Sequence, residues 1–207
     1  APATLVHEAA EAFSAAVLNA GDVYAVPLDG GEIRRLTYGQ LVDLPLAFTP
    51  DGRDVIFYSA GTAAKDVNFL DGIYGFFLGQ VRTVPATGGR ERPFMPVPTG
   101  QASISPDGNL LAYAFVRSLE MPQRKRQLSD GTTDIWIFDR RTGRHRQLTR
   151  HRSSERSPVF SADGAYVYFT AEIAAGGDSP PGVTNVWRMA TDGSGAPEQI
   201  TFHDTLP

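Results

Sequence analysis

One turn recurs along this chain at a fixed distance. Leu46-Ala47-Phe48-Thr49-Pro50-Asp51-Gly52, Ala102-Ser103-Ile104-Ser105-Pro106-Asp107-Gly108 and Pro158-Val159-Phe160-Ser161-Ala162-Asp163-Gly164 align with one another, and Asp51, Asp107 and Asp163 stand 56 residues apart. An alternating apolar run follows each: Val55-Ile56-Phe57-Tyr58, Leu110-Leu111-Ala112-Tyr113-Ala114-Phe115 and Tyr166-Val167-Tyr168-Phe169. Pro, Asp and Gly between two β-type runs predict a hairpin. Pro presets φ, Asp bonds nearby backbone, and Gly supplies a positive φ. Self-similarity at this period marks an array of supersecondary units that bury their faces against one another.

A second motif lies between the turns. It reads Asp22-Val23-Tyr24-Ala25-Val26-Pro27, Asp134-Ile135-Trp136-Ile137-Phe138-Asp139 and Asn185-Val186-Trp187-Arg188-Met189-Ala190, with a weaker copy at Gln80-Val81-Arg82-Thr83-Val84-Pro85. Each ends in a turn at Gly30-Gly31, Gly88-Gly89, Thr142-Gly143 or Asp192-Gly193. Three then close with Leu36-Thr37, Leu148-Thr149 or Ile200-Thr201. One unit is therefore strand, turn, strand, variable loop, strand, Gly turn, strand. Four antiparallel strands repeated in series predict the blades of a β-propeller.

The fold expected is all-β: a propeller segment of about four blades in a single domain over residues 1–207, with blades at approximately 1–40, 44–94, 101–150 and 157–201. Residues 202–207 read as the lead-in to a next blade, so the chain is expected to be part of a larger propeller. The unit at 44–94 lacks a clear last strand. Upstream of Val23, residues 5–19 fit a helix face or a strand at 12–18, and the strand is preferred.

Composition bounds the function. The chain is 42% hydrophobic and 20% charged, an ordinary globular balance. It has no cysteine, which excludes disulfides and thiolate metal sites but leaves the compartment open. A net charge of −4 argues against nucleic acid as the partner. No apolar run approaches the ~20 residues of a membrane-spanning helix, so no membrane insertion is expected. The first residues carry no signal peptide, which fits a cytoplasmic protein or one whose signal has been removed.

The Ser-Pro-Asp-Gly turn with its alternating run, and Asp134-Ile135-Trp136 with its Gly turn and Leu148-Thr149, resemble the WD-like repeats of TolB-type propellers. Asp134 to Asp139, Arg146 to Thr149, Ser157 to Gly164, Asn185 to Met189 and Gln199 to Thr205 resemble most the N-terminal propeller of tricorn-like serine peptidases. That resemblance implies a module that admits or filters peptides for a peptidase domain elsewhere in the protein. The chain itself is then not an enzyme, and its partner is a peptide or protein, with further domains or an oligomeric assembly. The alternative is a TolB-like interaction propeller of a cell-envelope assembly. A lyase or hydrolase built into a propeller channel is a third reading.

The chemistry-bearing residues are few. No Gly-x-Ser-x-Gly elbow, His-Glu-x-x-His pair or phosphate loop occurs, so no catalytic residue is assigned. No cofactor or metal is expected; Asp192-Gly193-Ser194-Gly195 lacks the acidic spacing of a calcium loop. His151 and His203 follow matching threonines and read as repeat elements. Trp136 and Trp187 share a repeat position and read as packing. The long second-to-third-strand loops, at residues 60–79, 116–131 and 171–183, are expected on one face, where binding commonly sits. The candidate rim for a peptide or protein comprises Arg117, Arg124, Lys125 and Arg126, with Arg152 and Arg156 from the lead-in to the last unit. Tyr74 and Phe76 add apolar contact. Guanidinium forks suit peptide carboxylates, although a solvated face with local ion pairs also accounts for them.

Overall fold

The structure, a computed structural model, describes residues 3–7, 21–39, 42–59, 79–97, 99, 101–118, 132–151, 154–171 and 183–203. They form strands and turns with no helix, so none of them lies in a helix long and apolar enough to cross a membrane. The chain divides into two compact units, Ala1–Gly100 and Gln101–Pro207.

In the first unit, β1 (Ala3–His7), β2 (Val23–Pro27) and β3 (Arg34–Arg35) form a three-stranded sheet in that order. The second sheet runs β4 (Asp43–Phe48), β5 (Asp54–Ser59), β6 (Gln80–Pro85), β7 (Arg92–Pro93). In the second unit, the third sheet runs β8 (Ala102–Ile104), β9 (Leu110–Ser118), β10 (Thr132–Asp139), β11 (Arg144–Gln147). The fourth runs β12 (Glu155–Phe160), β13 (Tyr166–Ala171), β14 (Asn185–Ala190), β15 (Glu198–Gln199). Every pairing is antiparallel and every neighbour is the next strand in sequence.

Side chains alternate across each strand, and this selects the core. In the second unit, Ala112, Ala114, Ile135, Ile137 and Leu148 of the third sheet pack on Phe160, Val167, Phe169, Trp187 and Met189 of the fourth. In the first unit, Val23, Ala25 and Leu36 pack on Val55, Phe57 and Val84. Each full burial of such an aliphatic or aromatic side chain contributes about 1.5–3 kcal/mol.

The recurring turn closes as its residues dictate. Ser105 Oγ donates to Asp107 Oδ1 at 2.5 Å and accepts the Leu110 amide at 2.9 Å, while the Asn109 amide donates to Asp107 at 3.0 Å. Thr49 with Asp51, and Ser161 with Asp163, repeat the arrangement. Gly52, Gly108 and Gly164 have φ of 68°, 71° and 72°, a region that L side chains avoid. The donors hold all three carboxyls below the usual range, Asp107 at about 2, with the hydroxyl bond the largest cause.

In three of the four sheets the threonine that ends the repeat forms a clasp. Thr37, Thr149 and Thr201 accept, through Oγ1, the amides of Val23, Ile135 and Val186 at 3.0, 2.8 and 2.8 Å. The preceding residue donates back: Leu36, Leu148 and Ile200 bond the carbonyls of the same three residues, each at 2.8 Å. The acidic or amide residue that opens the motif caps the exit, since Gly39 N donates to Asp22 at 3.1 Å and His203 N to Asn185 at 2.7 Å.

Three features depart from the expectation. The unit at 44–94 does have a last strand, β7, two residues long. There Phe94 and Met95 bond the Val81 carbonyl at 2.9 and 3.4 Å, so Met95, 1% exposed, takes the place of the clasping threonine. The strand that pairs with β2 is Ala3–His7, which carries the β-branched Thr4 and Val6 and the apolar Leu5; residues 12–18 lie outside the described residues. The third-sheet loop is shorter than expected because β9 continues through Ser118 and β10 begins at Thr132.

Candidate functional site

A cleft of about 650 Å³ opens in the second unit. One wall is β11 and the segment that leaves it: Arg146, Gln147, Leu148, Thr149, Arg150 and His151. The other comes from the fourth sheet and its last turn, with Phe169, Trp187, Met189, Asp192, Gly193 and Pro197. The floor is apolar because Leu148, Phe169, Trp187 and Met189 belong to the core between these two sheets. The mouth is polar: Arg146, Arg150, His151 and Asp192 are exposed.

Three side-chain hydrogen bonds anchor the walls. The Thr149 hydroxyl, held by the Ile135 amide, lies 3.1 Å from Oε2 of the fully buried Glu155. Gln147 Nε2 donates to Asp134 Oδ2 at 3.0 Å. At the other end the Arg146 guanidinium donates to the Thr191 carbonyl. Gly193, at φ 86°, makes room for it, since a Cβ there would stand 2.8 Å from Arg146 Nη1. Asp192 is held below the usual carboxylate range, chiefly by hydrogen bonds from Ser194, with the Arg146 charge assisting.

The opposite face of the third sheet carries an aromatic group. Tyr113 Oη and His145 Nδ1 share a hydrogen bond of 2.9 Å, and the imidazole stacks on Phe138 with centroids 4.6 Å apart. Burial pushes the Tyr113 hydroxyl up to about 12 and the His145 imidazole down. Both are locked into packing by this arrangement. Among the described residues no group of three or more His, Asp or Glu side chains is placed to hold a metal ion.

Of the candidate rim residues singled out from the sequence, the structure describes two, Arg117 and Arg156. Arg124, Lys125, Arg126, Arg152, Tyr74 and Phe76 lie outside the described residues. Arg117 is on β9, not in a loop. The ladder pairs Ser118 with Thr132 and Val116 with Thr133, so Arg117 is passed over at a bulge. Arg156 is exposed on β12, with Nη2 3.5 Å from Ser154 Oγ. Trp187 is 8% exposed in the core cluster, whereas Trp136 is only partly buried and meets Phe115 edge-on at 5.8 Å. The two tryptophans thus share a repeat position without sharing an environment. The cleft itself was not read from the sequence. Its walls come from positions 146–197, and the packing of the third sheet on the fourth brings them together.

No family model matches the chain, and no curated protein matches it by sequence. Solved structures do resemble it. A TolB-type protein of Agrobacterium tumefaciens superimposes with a TM-score of 0.59 at 23% identity, over 88% of this chain and 55% of that one. TolB of Acinetobacter baumannii gives 0.58 at 18% identity, over 91% of this chain and 39% of that one. The tricorn protease gives 0.52 at 11% identity, over 82% and 16%. The chain therefore spans about half the length of the first of these structures, and less of the others. The fold is a β-propeller fold of the TolB and tricorn type: all-β, built from antiparallel sheets of four strands with one of three.

Proposed function

We infer that this chain is a non-catalytic docking module for a peptide or an extended protein segment. The observation that carries the reading is the cleft of about 650 Å³, with its apolar floor and its arginine-bearing mouth. A peptide presents the matching chemistry. Its apolar side chains are driven from water onto a floor such as Leu148, Phe169 and Trp187, and its carboxylates suit guanidinium forks. Pockets of this size and lining are common ligand sites. In the finer form of the proposal, the module admits or filters substrate for a tricorn-like serine peptidase domain. In that form the residues proposed to contact the peptide are those singled out in the sequence: Arg117, Arg124, Lys125, Arg126, Arg152, Arg156, Tyr74 and Phe76.

The experiment is an array of random-sequence decapeptides probed with purified chain. A subset should bind with dissociation constants of ~1–100 μM, or about −8 to −5 kcal/mol. No peptide above background would overturn the docking reading. Fluorogenic peptides incubated with the same preparation should not be turned over. Cleavage that copurifies with the chain and disappears on one substitution would overturn the non-catalytic assignment.

A further inference from the structure

The third sheet ends in a strongly basic, open edge. Among the described residues β11 is its outermost strand and pairs only with β10. Residues 140–150 contain five arginines and no acidic residue, in a chain whose net charge is −4. Arg140, Arg141, Arg144, Arg146 and Arg150 are all exposed. Arg141 is 3.9 Å from Asp139, but Arg144 and Arg150 form no ion pair among the described residues. The main chain of the edge is also available. Leu148 N–H bonds Ile135 on the inner side, and antiparallel ladders alternate, so the amides and carbonyls of His145 and Gln147 face outward.

We propose that the free edge of β11 takes an acidic, extended peptide as an added strand. The inference rests on the docking reading above and gives it a ligand class and a binding mode. Main-chain bonds to His145 and Gln147 supply the pairing, as in other cases of strand addition to a sheet edge. Arg144 and Arg146 share one face of the strand, the face of Leu148 and of the cleft, and Arg150 follows at its end. Acidic side chains two residues apart on the incoming strand meet those guanidiniums, and intervening residues turn to the other face. Charges on an edge strand also guard against aggregation, and that role alone predicts no ligand. A single-stranded nucleic acid would engage the same charge, but this edge offers no exposed aromatic ring on which a base stacks. His145, the one ring on β11, is stacked on Phe138.

The test uses fluorescence anisotropy with the whole chain and three labelled probes: an alternating Glu-Val octapeptide, the Lys-Val octapeptide and an eight-nucleotide oligouridylate. The Glu-Val peptide should bind at least 10-fold more tightly than either of the others. Methylating its backbone nitrogens at alternate residues, in the register that faces β11, should weaken it at least 10-fold, while the opposite register leaves it unchanged. Arg144→Glu/Arg150→Glu, two exposed positions with no packing role, should abolish binding with an unchanged melting temperature. Equal binding of the Lys-Val peptide, preference for the oligonucleotide, or indifference to both methylation registers would each overturn the proposal. If the random array yields binders that ignore Arg144→Glu/Arg150→Glu, the edge proposal fails and the docking reading stands. If the array yields none, the docking reading fails first.

Discussion

The Thr149 hydroxyl lies 3.1 Å from a carboxylate oxygen of Glu155, a side chain with no solvent exposure. Thr149 also receives the Ile135 amide, so one hydroxyl serves a strand end and a buried acid. Thr149→Val therefore removes an acceptor from a buried N–H and a donor from a buried carboxylate. Losses of this kind cost about 1–3 kcal/mol. Thr201→Val removes the matching bond to Val186, but Thr201 is only partly buried and its other partner is the neutral Asn185. That variant should cost about 0.5–1.5 kcal/mol. Urea melts of the two variants check the order, and an equal or reversed pair of losses would contradict it.

The two tryptophans should separate in the same assay. Trp187→Ala empties a position in the core cluster and is expected to cost about 3–5 kcal/mol. Trp136 is partly buried outside that cluster, and its described ring contact is the edge-on approach to Phe115. Trp136→Ala should cost about 2 kcal/mol, from partial burial and one aromatic pair. Variants of equal stability would mean that repeat position, not local burial, sets the contribution.

Acid should weaken the third sheet through His145. Burial lowers its pKa from the ordinary 6.5, so the unfolded chain binds the proton more readily than the folded one. This contribution to stability is complete above about pH 6.5 and is lost as the pH falls through the lower folded value. Tyr113 acts at the other extreme. Its pKa is raised to about 12, so its contribution is present below the unfolded value near 10 and is lost as the pH rises toward 12. Thermal melts from pH 5 to 11 should show His145→Gln flattening the acid arm and Tyr113→Phe flattening the alkaline arm. Arms unchanged by these substitutions would assign the titrations elsewhere.

Asp43 should behave in the opposite sense to the turn aspartates. It is 1% exposed, and burial raises its pKa. Its contribution is greatest below the ordinary value near 3.8 and is lost as the pH rises through the raised folded value. Asp43→Asn should therefore raise the melting temperature at pH 7 and lose that advantage near pH 3. Asp107 should titrate at about 2 by carboxyl NMR. Its stabilising bonds are present above the unfolded value near 3.9 and fade as the pH falls toward 2. An ordinary titration at Asp107 would mean that the Ser105 and Asn109 bonds do not persist in solution.

The turns were legible because their chemistry is local. Asp107 bonds Ser105 and Asn109, each two residues away, and any chain with that spacing closes in the same way. The last strand of the second sheet was not legible, because its signature elsewhere is a threonine and here the position is Met95. A two-residue ladder at Arg92–Pro93 leaves no alternation to detect. Arg117 looked like the start of a loop because it opens a charged stretch, yet cross-strand pairing carries β9 one residue beyond it. The arginines of β11 were visible as charges but not as an edge, since edge status depends on which strand lacks a second neighbour. The cleft is of the same kind. Leu148 and Trp187 are distant in sequence and meet only after two sheets have packed.

Met95 in place of a clasping threonine has a further consequence. Neighbouring repeats of similar sequence are prone to exchange segments during folding and become trapped in misassembled forms. Exit segments that end in Thr37, Thr149 or Thr201 each need a polar socket at the head of their own third strand, whereas Met95 needs an apolar one. A crossed pairing between those kinds would strand a hydroxyl in hydrocarbon or leave a thioether against a carboxylate. The unlike seal thus sets the exit segment at Met95 apart from the three that end in threonine, and disfavours its exchange with them.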